Sequence, residues 1–369
     1  MYKNLEMNVA KIVTALKPES LEECSQFLQA GELVAFPTET VYGLGANALD
    51  EKALEKIFLA KGRPKSDPLI VHLSGMVQAE SLTEMTAFQR QCFDILGNQF
   101  WPGPLTIIVK ASRYLPKIVT AGGDSVALRV PNGETALKLL NLSKLPIAAP
   151  SANKFGHVSP TKAQHVMDDL GNEEKLIILE QDHDCNIGIE STIIKILEDY
   201  EIHLLRPGFI STFQISSILQ KSNISFSLKR VKKTIVSYSS EDEKLDSPGQ
   251  LLTHYSPNIE SFILAAKNNK NNIVADIFLK SLLRKTILID FNMKNIEYSE
   301  QVLKYYDLSK SGNNLEASKN LFSFLRQSEI EQNAEYILLP DFSEENNEEL
   351  SAIFDRIYRA ASGKYVAIN

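Results

Sequence analysis

The sequence predicts an α/β protein with two domains, one over residues 8–225 and a smaller one over residues 259–369. In both parts, short β-rich runs alternate with segments of helical apolar period. Between them, residues 226–258 are polar, contain charge runs and two Ser-Pro steps, and lack an apolar period, which is typical of a linker. A chain of 369 residues, 44% of them hydrophobic, is also long enough to bury two cores.

The first domain opens with two predicted helices separated by a strand. Residues 21–31 have helical apolar spacing, and the run ELVAFPTET that follows predicts a strand interrupted by Pro37. Residues 50–62 form the second predicted helix, because Asp50 is a suitable N-cap and Gly62 a suitable stop signal.

The rest of this domain combines strands with a further helix. The β-rich runs are PLIVHL, LTIIVK, SVALRV and PIAAPSA. Ser159 and Pro160 have the residue types favoured at the N-cap and first position of a helix, so they predict a helix start before TKAQHVMDDLG. The runs STIIKI and IHLLRPG flank a short polar turn and predict a β-hairpin.

The second domain shows the pattern of βα units. TILIDF and YILLPDF predict buried strands, whereas EASKNLFSFLRQSE and NEELSAIFDRIYRAAS predict amphipathic helices. Strands that alternate with helices in this way favour a parallel sheet.

Composition limits the classes of function. A net charge of −7 with 23% charged residues argues against a surface that mainly neutralises nucleic-acid phosphates. The three cysteines are far apart and form no CxxC pair, which favours a reducing compartment, and we expect a cytoplasmic protein. No apolar run approaches the roughly 20 residues of a membrane span, and residues 1–13 are a poor match to a signal peptide.

Two local patterns are weak indications of a cofactor or metal. GLGANA, residues 43–48, lacks the register and context of a dinucleotide-binding loop, so glycines serving a tight turn are the favoured interpretation. His183 lies in sequence near Asp182, Asp184 and Cys185, but an exposed turn is commoner than a metal site for such a cluster. We therefore predict no metal ligated by the protein.

A set of cations and hydroxyl groups at predicted strand ends is more informative. Lys61 and Arg63 lie at a predicted helix C-terminus, where the helix dipole alone favours a cation. Other polar residues follow or border the strands: Thr38, Thr40, Ser125, Arg129, Ser151, Asn153, Ser191 and Arg206. Ligands of α/β proteins bind in the crevice at strand ends, and such side chains suit phosphate and carboxylate groups.

The ordered motifs carry a family resemblance. FPTETVYGLGANA, KGRPKSDPLIVHL, WPGPLTIIV, SVALRVP, APSANKFGHVSPT, GIESTI and LLRPG resemble the YrdC-like domain, and SPGQLLTHYSP resembles the linker of the long form of threonylcarbamoyl-AMP synthases. The resemblance implies a twisted mixed sheet with helices and a concave basic cavity, followed by a smaller Rossmann-like α/β domain. It also implies that the linker folds toward the active site.

The resemblance implies a nucleotidyltransferase that forms L-threonylcarbamoyladenylate from L-threonine, bicarbonate or CO2, and ATP, and releases pyrophosphate. This is the first step of threonylcarbamoyladenosine modification of tRNA. A downstream tRNA threonylcarbamoyl transfer complex would use the product, and any tRNA contact of this chain would be weak or indirect. Mg2+ is expected to accompany ATP and pyrophosphate, held by phosphate oxygens and water.

The same resemblance assigns roles to residues. The expected catalytic residues are Lys61, Arg63, Ser151 and Asn153. The expected ATP-binding residues are Arg63, Asp67, Ser125, Ser151, Ser159, Arg206, His254 and Tyr255. The expected threonine-binding residues are Thr40, His72, Arg129, Ala149 and Ser191. Asp67 departs from the family pattern, which often has Asn there, and adds negative charge near the phosphates.

Two other functions stay open at this point. YrdC-like domains have a concave basic face, so an RNA-binding module is one alternative, against which the net charge and the lack of RRM or KH motifs count. A component of a carbamoyltransferase acting on carbamoyl phosphate is the other. The zinc-finger and acylphosphatase-like segments that accompany such domains are missing from the sequence.

Overall fold

The computed structural model describes residues 9–231, 247–249, 251–265, 276–278, 280–345 and 347–368. The opening residues 1–8 and, in the predicted linker, residues 232–246 and 250 lie outside the described residues. The described residues form two separate sheets, one for each predicted domain. None of the helices in these ranges is long and apolar enough to cross a membrane.

The first domain is a large mixed sheet with helices. Its strands are β1 Lys11–Thr14, β2 Leu33–Pro37, β3 Tyr42–Asn47, β4 Ile70–His72, β5 Leu105–Lys110, β6 Ser125–Arg129, β7 Ile147–Ala148, β8 Leu176–Glu180, β9 Thr192–Ile196, β10 Glu201–Arg206 and β11 Ser227–Arg230. Its helices are α1 Pro18–Gln29, α2 Glu51–Lys61, α3 Ala87–Phe100, α4 Glu134–Ser143, α5 Ala163–Leu170 and α6 Thr212–Lys221, with a 3-10 segment at Met76–Leu82.

The strand order in this sheet is β1-β8-β2-β3-β7-β4-β6-β5-β9-β10-β11. β4 and β6 pair in parallel, so their carboxyl ends meet with His72 directly opposite Arg129. β9 and β10 form the predicted antiparallel hairpin. The fold class expected from the sequence, a mixed sheet with helices, is therefore confirmed.

Helix α2 begins and ends as its sequence predicts. The Asp50 carboxylate accepts hydrogen bonds from the backbone N–H groups of Lys52 and Ala53, at 3.0 and 3.3 Å. Gly62 adopts the left-handed conformation, φ 65°, which ends the helix after Lys61 and turns the chain before Arg63. On either side of this turn, Lys61 and Arg63 bind different parts of the chain, the Ser151 carbonyl and the Pro68 carbonyl respectively.

Three local expectations were wrong. Helix α5 begins at Ala163 with Lys162 at its N-cap, so Ser159 caps no helix; its hydroxyl donates to a carboxylate instead. The glycines of residues 43–48 lie within strand β3, where a Cβ on Gly45 would approach Phe36 and Ile147 to 2.8 Å. They allow close packing and form no turn. The first residues of the predicted linker form strand β11, parallel to β10.

The second domain is the predicted parallel sheet. Its strands are β12 Glu260–Leu264, β13 Asp276–Phe278, β14 Thr286–Asp290, β15 Lys304–Asp307, β16 Tyr336–Pro340 and β17 Tyr365–Ile368. Its helices are α7 Asn314–Glu329 and α8 Glu348–Ala360, with 3-10 segments at Lys280–Lys285 and Ile296–Tyr298. The order is β13-β17-β12-β16-β14-β15, and the described strand pairs are all parallel.

The two domains share a hydrophobic core. Val41, Val158, Ile187 and Ile189 of the first domain belong to the same buried cluster as the apolar faces of α7 and α8. Apolar burial is the main favourable term in both folding and association, so this shared cluster joins the domains into one unit.

An ionic cluster, which we call the interdomain latch, lies beside this core. It consists of His157 and Asp169 from the first domain and Arg326 and Glu329 from α7. The two ring nitrogens of His157 lie 2.9 Å from Asp169 Oδ2 and 2.8 Å from Glu329 Oε1. Arg326 Nη2 lies 3.0 Å from Asp169 Oδ2. Burial lowers the pKa of His157, but hydrogen bonds to both carboxylates outweigh it and raise the pKa to about 9.

We expect the latch to make stability depend on pH. The folded-state pKa of His157 lies above the ordinary value of 6.5, so its contribution is complete below pH 6.5 and is lost as pH rises to about 9. In that window the free energy of unfolding should fall by up to about 1.4 kcal/mol per pH unit relative to His157→Gln, which cannot be protonated. Urea unfolding of both proteins from pH 6 to 10 measures the difference, and parallel profiles would contradict it.

Candidate functional site

A small buried cavity lies where the carboxyl ends of β4 and β6 meet the loop before β3. Its volume is about 50 Å³. The residues that line it are Thr38, Thr40, Val41, Tyr42, Gly43, Arg63, Ile70, His72, Arg129, Ala149, Pro150, Ser151, Glu190, Ser191, Arg206, Pro248, Gly249, His254 and Tyr255. Ten of the expected site residues, taken from seven of the quoted sequence motifs, therefore border one space.

Arg129 and His72 form one wall of the cavity. Arg129 donates to Thr40 Oγ1 at 3.0 Å and to the Gly103 carbonyl at 3.3 Å, and its Nη2 lies 2.7 Å from a carboxylate oxygen of Glu39. Burial, together with the charge of Arg129, lowers the pKa of His72 to about 3. His72 is therefore a neutral imidazole beside the fixed guanidinium of Arg129. This pair suits a ligand that places a carboxylate on the guanidinium and a neutral polar group on the imidazole.

Arg206 and Ser191 form another part of the cavity lining. Arg206 donates through Nε to the Ser191 carbonyl at 3.1 Å and through Nη2 to Ser191 Oγ at 3.2 Å. Thr106 Oγ1 lies 2.7 Å from Ser191 Oγ. Arg206 makes no ion pair closer than 4 Å among the described residues, so its charge is held mainly by neutral groups.

Arg63 enters the cavity from the turn after α2. Its Nη2 donates to the Pro68 carbonyl at 2.8 Å and lies 2.8 Å from Asp67 Oδ1. Burial raises the pKa of Asp67 to about 6, although Arg63 and Lys61 act in the opposite direction. Asp67 does not line the cavity; it lies behind Arg63 and holds that side chain in place.

Lys61 points to the loop beside the cavity. Its Nζ donates to the backbone carbonyls of Ser151 and Asn153, at 2.6 and 2.5 Å, and the residue is 2% exposed. Burial, and then the charge of Arg63, lowers the pKa of Lys61 well below its ordinary value. An ammonium has three donors, so two of them hold this loop and one is left for another acceptor.

The loop over residues 151–161, which we call the Ser-Ala-Asn loop, is fixed by its own polar side chains. Asn153 Nδ2 donates to the carbonyls of Lys154 and His157, both at 2.8 Å. Ser159 Oγ donates to Glu190 Oε1 at 2.5 Å. Ser151 lines the cavity, whereas Asn153 and Ser159 lie behind it and shape the loop.

The described part of the predicted linker covers the cavity. Pro248, Gly249, His254 and Tyr255 line it from above. Gly249 has φ 83°, and a Cβ there would approach Tyr255 Oη to 2.9 Å, so this close approach requires glycine. Within the described part of the chain, Tyr255 Oη and His254 Nδ1 are buried without a hydrogen-bond partner, as is common where a polar ligand binds.

One expected ATP-binding residue lies apart from the cavity. Ser125 begins β6 and Arg129 ends it, which separates them by about 13 Å along the strand. Ser125 Oγ donates to Asp124 Oδ1 and does not line the cavity. Its contact with ATP stays a prediction that the cavity itself does not support.

The weak metal pattern maps to the surface. His183 has a side chain 57% exposed and lies 3.9 Å from Asp182, whereas Cys185 is buried and donates toward the Thr161 carbonyl. The exposed turn predicted for this stretch matches what the described residues show.

Sequence reasoning missed two acidic residues and one arginine. Glu39 and Glu190 stand inside the quoted motifs FPTETVYGLGANA and GIESTI but were given no role. Arg356 could have been found from helical spacing, because it shares the apolar face of α8 with Ile353 and Ile357. A charged residue on such a face indicates a buried partner.

The charges define what the cavity can bind. Arg63, Arg129 and Arg206 all line it, while Asp67 and Glu39 contact the arginines from outside the lining. A buried excess of guanidinium groups favours anions, and guanidinium groups from three separate segments suit a ligand or ligand pair with more than one anionic group.

Comparison with known proteins agrees with this geometry. Residues 26–208 match the Sua5/YciO/YrdC family model, described as telomere recombination, and residues 210–362 match the model described as the C-terminal domain of threonylcarbamoyl-AMP synthase. A threonylcarbamoyl-AMP synthase of Schizosaccharomyces pombe is 33% identical over 375 aligned residues, covering 93% of this chain and 88% of the relative. The chain belongs to the threonylcarbamoyl-AMP synthase family.

Other members support the same assignment. The Pyrococcus abyssi synthase is 41% identical over 244 residues, covering 66% of this chain and 67% of the relative. A crystal structure of P. abyssi Sua5 complexed with L-threonine aligns with a TM-score of 0.78 at 31% identity, over 98% of this chain and all of that one. The expected nucleotidyltransferase class and the two-part YrdC-like architecture are thus confirmed.

We expect Lys61 to stabilise the Ser-Ala-Asn loop. Lys61→Met leaves the buried carbonyls of Ser151 and Asn153 without this donor, which should lower the free energy of unfolding by about 1–3 kcal/mol. The matched control is Lys65→Met, because Lys65 is 63% exposed and its ion pair with Glu55 is a surface pair. Urea unfolding of both variants measures the effect, and equal stabilities would contradict this role.

Proposed function

We propose that this chain condenses L-threonine, bicarbonate or CO2, and ATP to L-threonylcarbamoyladenylate and pyrophosphate. The observation that carries the proposal is the placing of Arg129 on one wall of the cavity and Arg63 and Arg206 on the others. Threonine has one carboxylate and ATP has a triphosphate, so the two substrates need two separate cationic sites. The threonine-bound P. abyssi relative supports the same choice of amino acid.

Threonine binds at the Arg129 wall. The guanidinium pairs with its carboxylate, since Glu39 and Gly103 already fix the orientation of Arg129. Thr40 and Ser191 offer hydroxyl groups to the substrate amine or hydroxyl, and Ala149 closes the pocket. The neutral His72 adds a polar contact without a competing charge.

The first chemical step joins threonine to CO2. The lone pair of the neutral amine attacks the carbon atom, one C–N bond forms, and the nitrogen loses a proton to give the carbamate. With bicarbonate as the source, a hydroxide equivalent leaves as water. The new carbamate is an anion, and the surrounding guanidinium groups stabilise it.

The second step is nucleotidyl transfer. A carbamate oxygen attacks the α-phosphorus of ATP, the Pα–O bond to the β-phosphate breaks, and pyrophosphate leaves. Negative charge grows on the phosphate oxygens, which Arg63 and Arg206 neutralise. Lys61 lies at the end of α2 beside the Ser-Ala-Asn loop, and its third N–H donor assists the transfer by binding a phosphate oxygen. Asn153 keeps that loop in shape. No covalent enzyme nucleophile is needed, and catalysis rests on positioning and charge.

Mg2+ enters as part of the MgATP substrate. Among the described residues no group of three His, Cys, Asp or Glu side chains is arranged to hold a metal. Glu190, which lines the cavity, is already engaged by Ser159 and an arginine. We expect phosphate oxygens and water to hold the ion, as is common for Mg2+ that accompanies a nucleotide.

The linker opens to admit the nucleotide. A cavity of about 50 Å³ is far smaller than the roughly 300–1,000 Å³ of typical ligand sites, and the linker residues form its roof. His254 and Tyr255 then contact the bound ATP. The product leaves for a tRNA threonylcarbamoyl transfer complex in the cytoplasm, a compartment compatible with the three free buried cysteines.

The substrate requirement gives the first test. Purified protein with MgATP should release pyrophosphate and form threonylcarbamoyladenylate only when L-threonine and bicarbonate are both present, as followed by pyrophosphate detection and mass spectrometry. The same rate of pyrophosphate release without threonine would sink the assignment. Turnover with carbamoyl phosphate in place of threonine and bicarbonate would instead support the carbamoyltransferase alternative.

Arg63 gives the second test. Arg63→Ala removes a guanidinium from the developing phosphate charge, and kcat/KM for ATP should fall by about 10²–10³-fold, or roughly 3–4 kcal/mol. Arg113→Ala is the control, because the Arg113 side chain is 74% exposed and its ion pair is with a surface glutamate. Steady-state kinetics in which both variants match the parent would refute the role of Arg63.

A further inference from the structure

Arg356 is a fully buried arginine of the second domain that reaches the cavity wall of the first. It is 0% exposed and stands on α8. Its Nε donates to Glu190 Oε2 and its Nη2 to the Glu190 carbonyl, each at 3.1 Å. Its Nη1 donates to the Pro207 carbonyl. Each of the three guanidinium nitrogens thus contacts the first domain, and Nη1 also lies 3.5 Å from Asp355 Oδ2 of α8.

The residues that Arg356 holds adjoin the substrate site. Glu190 directly precedes Ser191 in sequence, and Pro207 directly follows Arg206. Arg206 donates hydrogen bonds to Ser191 in the cavity wall. One guanidinium thus fixes the backbone on both sides of that contact. The guanidinium carbon of Arg356 also lies 5.9 Å from the ring centroid of Tyr255 in the linker.

The carboxylate of Glu190 creates an electrostatic problem that Arg356 solves. Glu190 lines a cavity suited to phosphates, where an unpaired negative charge would repel a nucleotide. Arg356 donates to one oxygen of the Glu190 carboxylate and balances its charge, and the other oxygen accepts a hydrogen bond from the Ser159 hydroxyl. The carboxylate can then organise the Ser-Ala-Asn loop without opposing ATP.

We propose that Arg356 is a positioning residue for the adenylation reaction, supplied by the second domain, which balances the charge of Glu190 and fixes Arg206 and Ser159 for ATP. This inference rests on the proposed function. It gives the C-terminal domain a part in the substrate site, although none of the residues described for that domain lines the cavity.

The test separates charge compensation from general damage to the fold. In Arg356→Met, Glu190 is left as an unpaired carboxylate, and KM for ATP should rise at least about tenfold while KM for threonine changes much less. In the double variant Glu190→Gln/Arg356→Met the unpaired charge is removed, so KM for ATP should recover most of that loss. Arg356→Lys keeps the charge but loses the paired donors of the guanidinium, so its KM for ATP should lie between those of Arg356→Met and the double variant.

The control is Arg284→Met, an exposed arginine of the same domain. Thermal unfolding and active-site titration of each variant are measured beside the kinetics. An Arg356→Met enzyme with parental KM for ATP would overturn the inference, as would a double variant no better than the single one. If Arg356→Met does not fold, the comparison of Arg356→Lys with the double variant decides by the same KM criterion.

Failure of this inference is distinct from failure of the proposed function. The parent enzyme must first show threonine-dependent pyrophosphate release. If it does, the Arg356 variants test the positioning role alone.

Discussion

Burial of several like charges in one place is the constraint on which the rest of this structure depends. Lys61, Arg63 and Arg206 lie within one region, and their mutual repulsion and desolvation are unfavourable without a bound anion. Backbone carbonyl groups, more than carboxylates, hold these side chains. Neutral acceptors fix Lys61 and Arg206 without cancelling their charge, whereas Arg63 is also paired with Asp67. The field of Lys61 and Arg206 therefore remains available to phosphates. Burial, and then the charge of Arg63, lowers the pKa of Lys61 well below its ordinary value.

The fold meets this constraint by bringing the ends of many short strands to one place. β4 and β6 place His72 beside Arg129, the β9–β10 hairpin places Ser191 beside Arg206, and the turn at Gly62 separates Arg63 from Lys61. The second domain then holds the Ser-Ala-Asn loop at three residues: Glu329 contacts His157, Arg326 donates to the Val158 carbonyl, and Arg356 acts on Ser159 through Glu190. The domains therefore cooperate in one site, and the C-terminal domain is more than an appended unit.

Much of this could be predicted from local sequence. Alternating strands and helices, the caps of α2, the hairpin and the parallel second sheet follow from periodicity and turn residues. The cap assigned to Ser159 was wrong because a tertiary partner, Glu190, took its hydroxyl. The Glu190–Arg356 pair joins residues 166 positions apart in sequence. A local sequence pattern cannot predict a contact between residues so far apart. The sequence motifs identified residues that line the cavity, whereas the residues that contact these from behind, such as Glu39 and Arg356, were found only in the structure.

The core shared across the domain boundary limits how this enzyme can be rebuilt from parts. Val158, Ile187 and the faces of α7 and α8 interlock, and beside them three ionic contacts pair residues of opposite domains. A chimaera that joins this first domain to the second domain of a relative would have to exchange the apolar surfaces together with the partners of all three contacts, which are His157–Glu329, Asp169–Arg326 and Glu190–Arg356. The unit of modular exchange in this architecture is therefore the whole two-domain chain.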